Sequence, residues 1–155
     1  MIDRGELCLK IRFGQTFKYI SVFAVGAVLY PILEILWRGY THPSMAVVGG
    51  ICFCGIWFVN EKLMYRYGTV FRALLCSGII TAVELCSGVL LNTVLGLKVW
   101  DYSMRPFNFM GQICIGYTFL WFALSIPVSA ICARIISRMR GSEIADDVGN
   151  GFSDK

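Results

Sequence analysis

An all-α polytopic membrane protein, a four-transmembrane-helix bundle with both termini cytoplasmic, is the fold class this sequence predicts. Three observations predict it. Hydrophobic residues make up 57% of the 155 and charged residues 15%, where soluble domains carry about a quarter charged. The apolar residues gather into four runs, each near or above the roughly 20 residues that cross a hydrocarbon core about 30 Å thick. Lys and Arg cluster in alternate connections, as the retention of cations on the cytoplasmic side demands.

In chain order, residues 1–17 form an N-terminal cytoplasmic or interfacial arm. Its Leu7-Cys8-Leu9-Lys10-Ile11-Arg12-Phe13 stretch alternates apolar and polar residues, strand-like by period but read as an interfacial segment ahead of the first helix. The transmembrane domain covers 18–133, with spans at about 18–37, 45–64, 72–96 and 110–133. The first span is too long for a signal peptide, contains Glu34, and no A-x-A-like cleavage site follows it, so it is expected to be retained. Residues 134–155 are a basic flank and a Gly-, Asp- and Ser-rich tail, expected to be disordered because it has little to bury.

Orientation follows from the cations. The arm holds Arg4, Lys10, Arg12 and Lys18; the second connection Lys62, Arg66 and Arg72; the C-terminal flank Arg134, Arg138, Arg140 and Lys155. The other two connections hold only Arg38, Lys98 and Arg105. Both termini should therefore be cytoplasmic, which requires an even number of spans. Trp37 and Tyr40, Tyr65 and Tyr67, and Trp100 and Tyr102 mark the water boundaries, where amphipathic rings settle.

The net charge of +4 is spread over the ends of apolar runs and makes no nucleic-acid groove, so nucleic acid is not an expected partner. Of seven cysteines, six lie inside apolar runs, and His42 is the one histidine. Neither a disulfide framework nor a metal site follows, and no cofactor is expected.

Charged and polar groups at membrane depth carry the functional expectation, because burying them there costs a few kcal/mol. Ser77, Thr81, Glu84, Gly88 and Asn92 follow one another at steps of four, three, four and four, which lines one helix face. Small members let a second helix approach, and polar members can hydrogen-bond across. Glu84, near mid-span, should face protein or water. Glu34 lies a turn from the end of the first span with Arg38 at i+4, so it reads either as half of a local ion pair or as a functional carboxylate. Pro31 and Pro127 each free a carbonyl, of Ala27 and Ala123, and read either as kinks opening a cavity or as packing features. Gly49, Gly50, Gly111 and Gly116 read as close-packing positions, and Asn60-Glu61 as a solvated helix end.

Between the third and fourth spans, "VWDYSMRPFNFMGQI" packs Trp100, Asp101, Tyr102, Ser103, Arg105, Pro106 and Asn108 into one link. Trp100 and Tyr102 suit an interfacial anchor, Pro106 delays helix re-entry, and Asn108 suits an N-cap for the last span. Asp101, Arg105 and Gln112 are left over. Asn108 and Gln112, four apart, would share a helix face, so the link reads as a polar cap over the outer mouth of the bundle, meeting Glu34, Arg38 and His42.

These residues carry a resemblance. Val99-Trp-Asp-Tyr-Ser-x-x-Pro-Phe-Asn-x-x-Gly-Gln-Ile-Cys-Ile115, preceded by Glu84-x-x-x-Gly88-x-x-x-Asn92, resembles the signature of the type IV ABC-transporter permease family of CmpB-like bacterial membrane proteins. Leu36-Trp-Arg-Gly-Tyr-Thr-His42 and Gly49-Gly-Ile-Cys-Phe53 resemble one subgroup, so the likeness spans most of residues 18–133. It implies a multi-pass protein of a bacterial plasma or inner membrane, with Glu34, Glu84, Trp100, Asp101, Tyr102, Ser103, Pro106, Asn108 and Gly111 as the positions carried over. Where many relatives have an Asn-Arg-Gly-Phe-Leu-type segment and a Gly-Pro after the first span, this chain has Gly39-Tyr-Thr-His-Pro-Ser44.

Two functions stay open. One is a permease-like component of a transport system. It would need a separate ATP-binding subunit, because no G-x-x-x-x-G-K-[ST] loop is present, and a homo-oligomer or partner, because four spans are few for a pathway. The other is a non-transporting membrane scaffold or accessory protein whose polar residues specify helix packing. An enzyme is not expected: there is no HExxH, no GxSxG and no carboxylate pair at catalytic spacing within one span.

Overall fold

A computed structural model describes the backbone of residues 4–152 and the side chains of residues 14–142. Four helices dominate it: α1 (Arg4–Arg38), α2 (Ser44–Leu63), α3 (Thr69–Gly88), continued by a π-helical segment (Val89–Val94), and α4 (Ile115–Phe152). Between α3 and α4 a two-stranded antiparallel hairpin, β1 (Asn108–Phe109) and β2 (Ile113–Cys114), pairs Asn108 with Cys114 and Phe109 with Ile113. All four helices are long and apolar enough to cross a membrane, over Gly14–Arg38, Ser44–Leu63, Thr69–Val94 and Ile115–Ser142.

Helix ends follow local chemistry. α1 stops at Gly39, whose φ of +80° is open to glycine and whose N–H donates to the Ile35 carbonyl at 2.9 Å, an αL cap. His42 then starts α2, because its Nδ1 accepts from the Ser44 backbone N–H and lies 2.8 Å from the Ser44 hydroxyl. His42 is thereby a helix cap and not part of the Glu34 group. Pro31 and Pro127 sit inside α1 and α4 without ending either helix.

Three boundaries differ from expectation. The arm is helical from Arg4: once α1 is nucleated, each added residue contributes a hydrogen bond without a new nucleation cost, and this outweighs the alternating pattern. At the other end, α4 runs to Phe152, so residues 141–152 are helical where disorder was expected; Gly141, Gly149 and Gly151 each weaken a helix without ending it. The fourth span begins at Ile115 and not near 110, because Met110 and Gly111 have φ of +54° and +67°, which no right-handed helix accommodates.

α2 is the central helix and packs against the other three. Half of its most apolar window is buried, against 11% for α1. The α1–α2 crossing is built on glycine: a Cβ on Gly49 would collide with Tyr30 and come within 2.7 Å of the Gly26 carbonyl, the small-residue approach by which membrane helices associate. Lipid-facing positions such as Val28, Leu36, Val70, Leu74 and Ile131 remain exposed. α1 and α4 flank α2, and they meet through side chains, Tyr30 stacking on Trp121 and the Trp37 indole donating to the Tyr117 hydroxyl at 3.3 Å.

Candidate functional site

Glu84 sits on α3 at 3% exposure. The Tyr30 hydroxyl, from α1, donates to its Oε1 at 3.3 Å. The indole N–H of Trp121, from α4, also interacts with the carboxylate, though without regular hydrogen-bond geometry. Tyr30 and Trp121 stack on each other at 5.6 Å between centroids. Three helices thus converge on one acid. Elsewhere on the stripe, Thr81 donates to Thr118 of α4 at 3.3 Å, and Ser77 is buried with its hydroxyl turned back to the Leu74 carbonyl.

Tyr30 and Trp121 also wall a cavity of about 640 Å³ between α1 and α4, lined further by Glu34, Trp37, Arg38, Tyr102, Arg105 and Tyr117. Glu34 is not free there. It is ion-paired with Arg38 and accepts from the Thr41 hydroxyl. Arg38 in turn reaches the Val99 carbonyl at 3.4 Å and lies over the Tyr40 ring at 4.8 Å, tying the end of α1 to the link after α3.

Asn92 organises that link. The π-helical segment around it displaces it from a strict four-residue step, a common feature at functional or specially packed positions. Its Nδ2 donates to the Trp100 carbonyl at 3.0 Å and to Gln112 Oε1 at 2.8 Å, and its Oδ1 accepts from the Val99 N–H at 2.6 Å. Trp100 is buried, its indole donating to the Gln112 carbonyl at 2.9 Å, so it is an interior anchor and not an interfacial one. Gly88 completes the packing, since a Cβ there would sit 2.5 Å from Gln112 Oε1. Gln112 belongs to the hairpin turn and not to the first turn of a span.

Asp101 does not pair with Arg105. Its Oδ1 accepts from the Ser103 N–H at 2.8 Å and the Ser103 hydroxyl at 2.5 Å, and these bonds hold the carboxyl below its ordinary range. Asn108 is no N-cap for α4. It donates to the Ser103 and Arg105 carbonyls and accepts from the Gly111 N–H, closing the loop around Pro106. Gly111 lies against Ser103 and Asp101, where a Cβ would not fit. Tyr102 stacks on Tyr117 of α4 at 4.6 Å, and burial pushes its phenol well up, keeping it protonated. The motif residues are thus a self-bonded cap, with Arg105 and Tyr102 reaching the cavity.

At the opposite end of the bundle lies a cluster that sequence reasoning missed. Asn60, read as a solvated helix end, is fully buried. It donates to the Ile56 carbonyl at 2.8 Å and the Ser129 hydroxyl at 3.3 Å, and accepts from Arg72 at 2.6 Å. Arg72, counted as a topology cation, is 4% exposed and also reaches the Thr69 hydroxyl at 3.0 Å. The signal was Ser129 inside an apolar run, which needs a polar partner. Nearby Glu61 pairs with Lys18 and accepts from Tyr19 at 3.0 Å. Among the described residues, six cysteines are free, and no three of His, Cys, Asp or Glu gather to hold a metal.

No solved structure matches the chain. A family model described as "Putative ABC-transporter type IV" matches residues 22–151, from early α1 to the end of α4 and across the Glu84 stripe and the cap. That match and the four apolar helices fit a multi-pass membrane transport component. With most of its length covered, the chain belongs to this ABC-transporter type IV family.

Proposed function

We propose that the chain is the permease-like subunit of a transport system, with the α1–α4 cavity as its entrance and Glu84 as the polar group behind it. The observation that carries this reading is the placement of a buried acid at membrane depth directly behind Tyr30 and Trp121, the two residues that wall the cavity. An acid kept at such a depth against its insertion cost is a functional position by default. The cap on the 95–114 link is the outer mouth, and both termini lie in the cytosol, since eleven of the 14 Lys and Arg fall on that side. ATP hydrolysis belongs to a separate subunit. With four helices and an α1 that buries little of itself, the pathway is completed by a second copy or a partner. The membrane is a bacterial plasma or inner membrane, and the chain itself is not an enzyme.

Complementation of a deletion strain tests this. Glu84→Gln keeps the Tyr30 bond and should express and melt like the wild type, yet fail to restore the strain or the ATPase activity of a co-purified nucleotide-binding subunit. Tyr30→Phe, which removes only the hydroxyl, should impair both in part. Full restoration by both variants would refute the transport role of Glu84. It would favour the second reading, a scaffold or accessory protein, which the fully satisfied Asn92–Gln112–Trp100 group supports.

A further inference from the structure

α1 and α4 leave a cleft between them along much of the bundle. At the end that holds the 95–114 link it is the cavity of about 640 Å³, within the range of about 300–1,000 Å³ typical of ligand sites. Leu33 and Leu124 of this cavity lie one helical turn from Leu29 and Val128, which line a second, apolar groove of about 350 Å³ between the same two helices. Val22 and Ile135 mark its far end. From Leu33 to Val22 is about 16 Å of helix at about 1.5 Å per residue, close to the depth of one leaflet's hydrocarbon, half of about 30 Å.

The two ends of this cleft differ in charge. The groove is lined by apolar side chains and Ser21, with the Cys132 thiol its one ionisable group. The cavity mouth holds three charges: Glu34 and Arg38 cancel as an ion pair, and Arg105 remains. The ion pairs among the described residues are Lys18–Glu61 and Glu34–Arg38, and neither uses the Arg105 guanidinium. One uncancelled guanidinium at headgroup level, above a slot one leaflet deep that opens sideways to lipid, is complementary to an anionic amphiphile, because guanidinium pairs with phosphate through parallel N–H bonds.

We propose that the α1–α4 cleft binds a phospholipid with a net anionic headgroup, its phosphate on Arg105 and one acyl chain along the groove. The site does not depend on the transport reading, since a scaffold can hold such a lipid equally well. Trp37 and Trp121 line the cavity and Trp57 lines the groove, so the protein carries its own reporters.

The full-length protein in phosphatidylcholine nanodiscs is titrated with chain-brominated phosphatidylglycerol or chain-brominated phosphatidylcholine, and tryptophan quenching is followed. Quenching should reach half-saturation at a several-fold lower mole fraction for the phosphatidylglycerol. Arg105→Gln, an exposed position whose change leaves the fold intact, should abolish that preference. Val25→Phe, which fills the groove, should reduce quenching by both lipids. Equal quenching by the two lipids, or a preference retained in Arg105→Gln, overturns the proposal. Displacement of the brominated lipid by soluble glycerol phosphate overturns it as well, because the site would then hold a free phosphate.

Discussion

Asn92→Ala tests how the cap is held. The substitution removes three hydrogen bonds, to the Val99 N–H, the Trp100 carbonyl and Gln112 Oε1. Net values of about 0.6–1 kcal/mol per bond, the range found for helix-associated polar contacts in membranes and for proteins generally, sum to about 2–3 kcal/mol. Val99, Trp100 and Gln112 are all buried, so any partner that water does not reach adds its own desolvation cost and the sum is a lower bound. Two assays check it. Titration with sodium dodecyl sulfate in mixed micelles should show a destabilisation of at least about 2 kcal/mol. Limited trypsin digestion should cut faster after Lys98, because the Val99 N–H is the group Asn92 holds. A variant that unfolds within about 0.5 kcal/mol of the wild type and resists trypsin equally well would refute the view that Asn92 is the latch.

Two further outcomes follow from the packing and the charge. Gly49→Ala should destabilise the bundle by about 1–3 kcal/mol, the usual cost of overpacking, because the added methyl meets the Gly26 carbonyl and Tyr30, whereas Gly78→Ala, which meets nothing within 4 Å, should be near neutral in the same unfolding assay. For Asp101, the folded carboxyl titrates below its ordinary value of 3.8 because of Ser103. Its contribution to loop order is therefore present above that value and is lost only as pH falls through the lowered one. Loop order, read from the NMR shifts of the Ser103 and Gly111 amides, should be flat from neutral pH down to about 5 and change only in stronger acid, and Ser103→Ala should move that change toward higher pH.

The burial of the polar residues on α3 could be read from residue spacing. Ser77, Thr81, Glu84, Gly88 and Asn92 do lie toward the bundle, because a helix repeats its face at three and four residues and lipid rejects unpaired polar groups. Asn92 contacts its partners through a π-helical turn that no spacing rule announces. The 99–115 link was legible as special but not in its parts. Trp100 and Asn108 have chemistry that suits an interface or a helix cap, and their neighbours use it differently: Gln112 draws the Trp100 indole inside, and Ser103 and Arg105 offer carbonyls to Asn108. Arg72 and Asn60 were misread for the same reason, since a cation and an amide at a helix end look solvated until Ser129, 69 residues from Asn60, is placed beside them.

The amino-acid sequence alone determined that the chain forms four membrane-length helices and that Glu84 must find partners. Both follow from the cost of exposing peptide and charge to hydrocarbon, which depends only on composition along the chain. Only the tertiary structure decided which partners these are, that α1 and α4 meet through side chains across a cleft, and that Arg105 has no counter-charge among the described residues. Those outcomes depend on helix crossings set by atoms at glycine contacts such as Gly26 and Gly49, and the direction in which one helix leans on another is not encoded in any single run of residues.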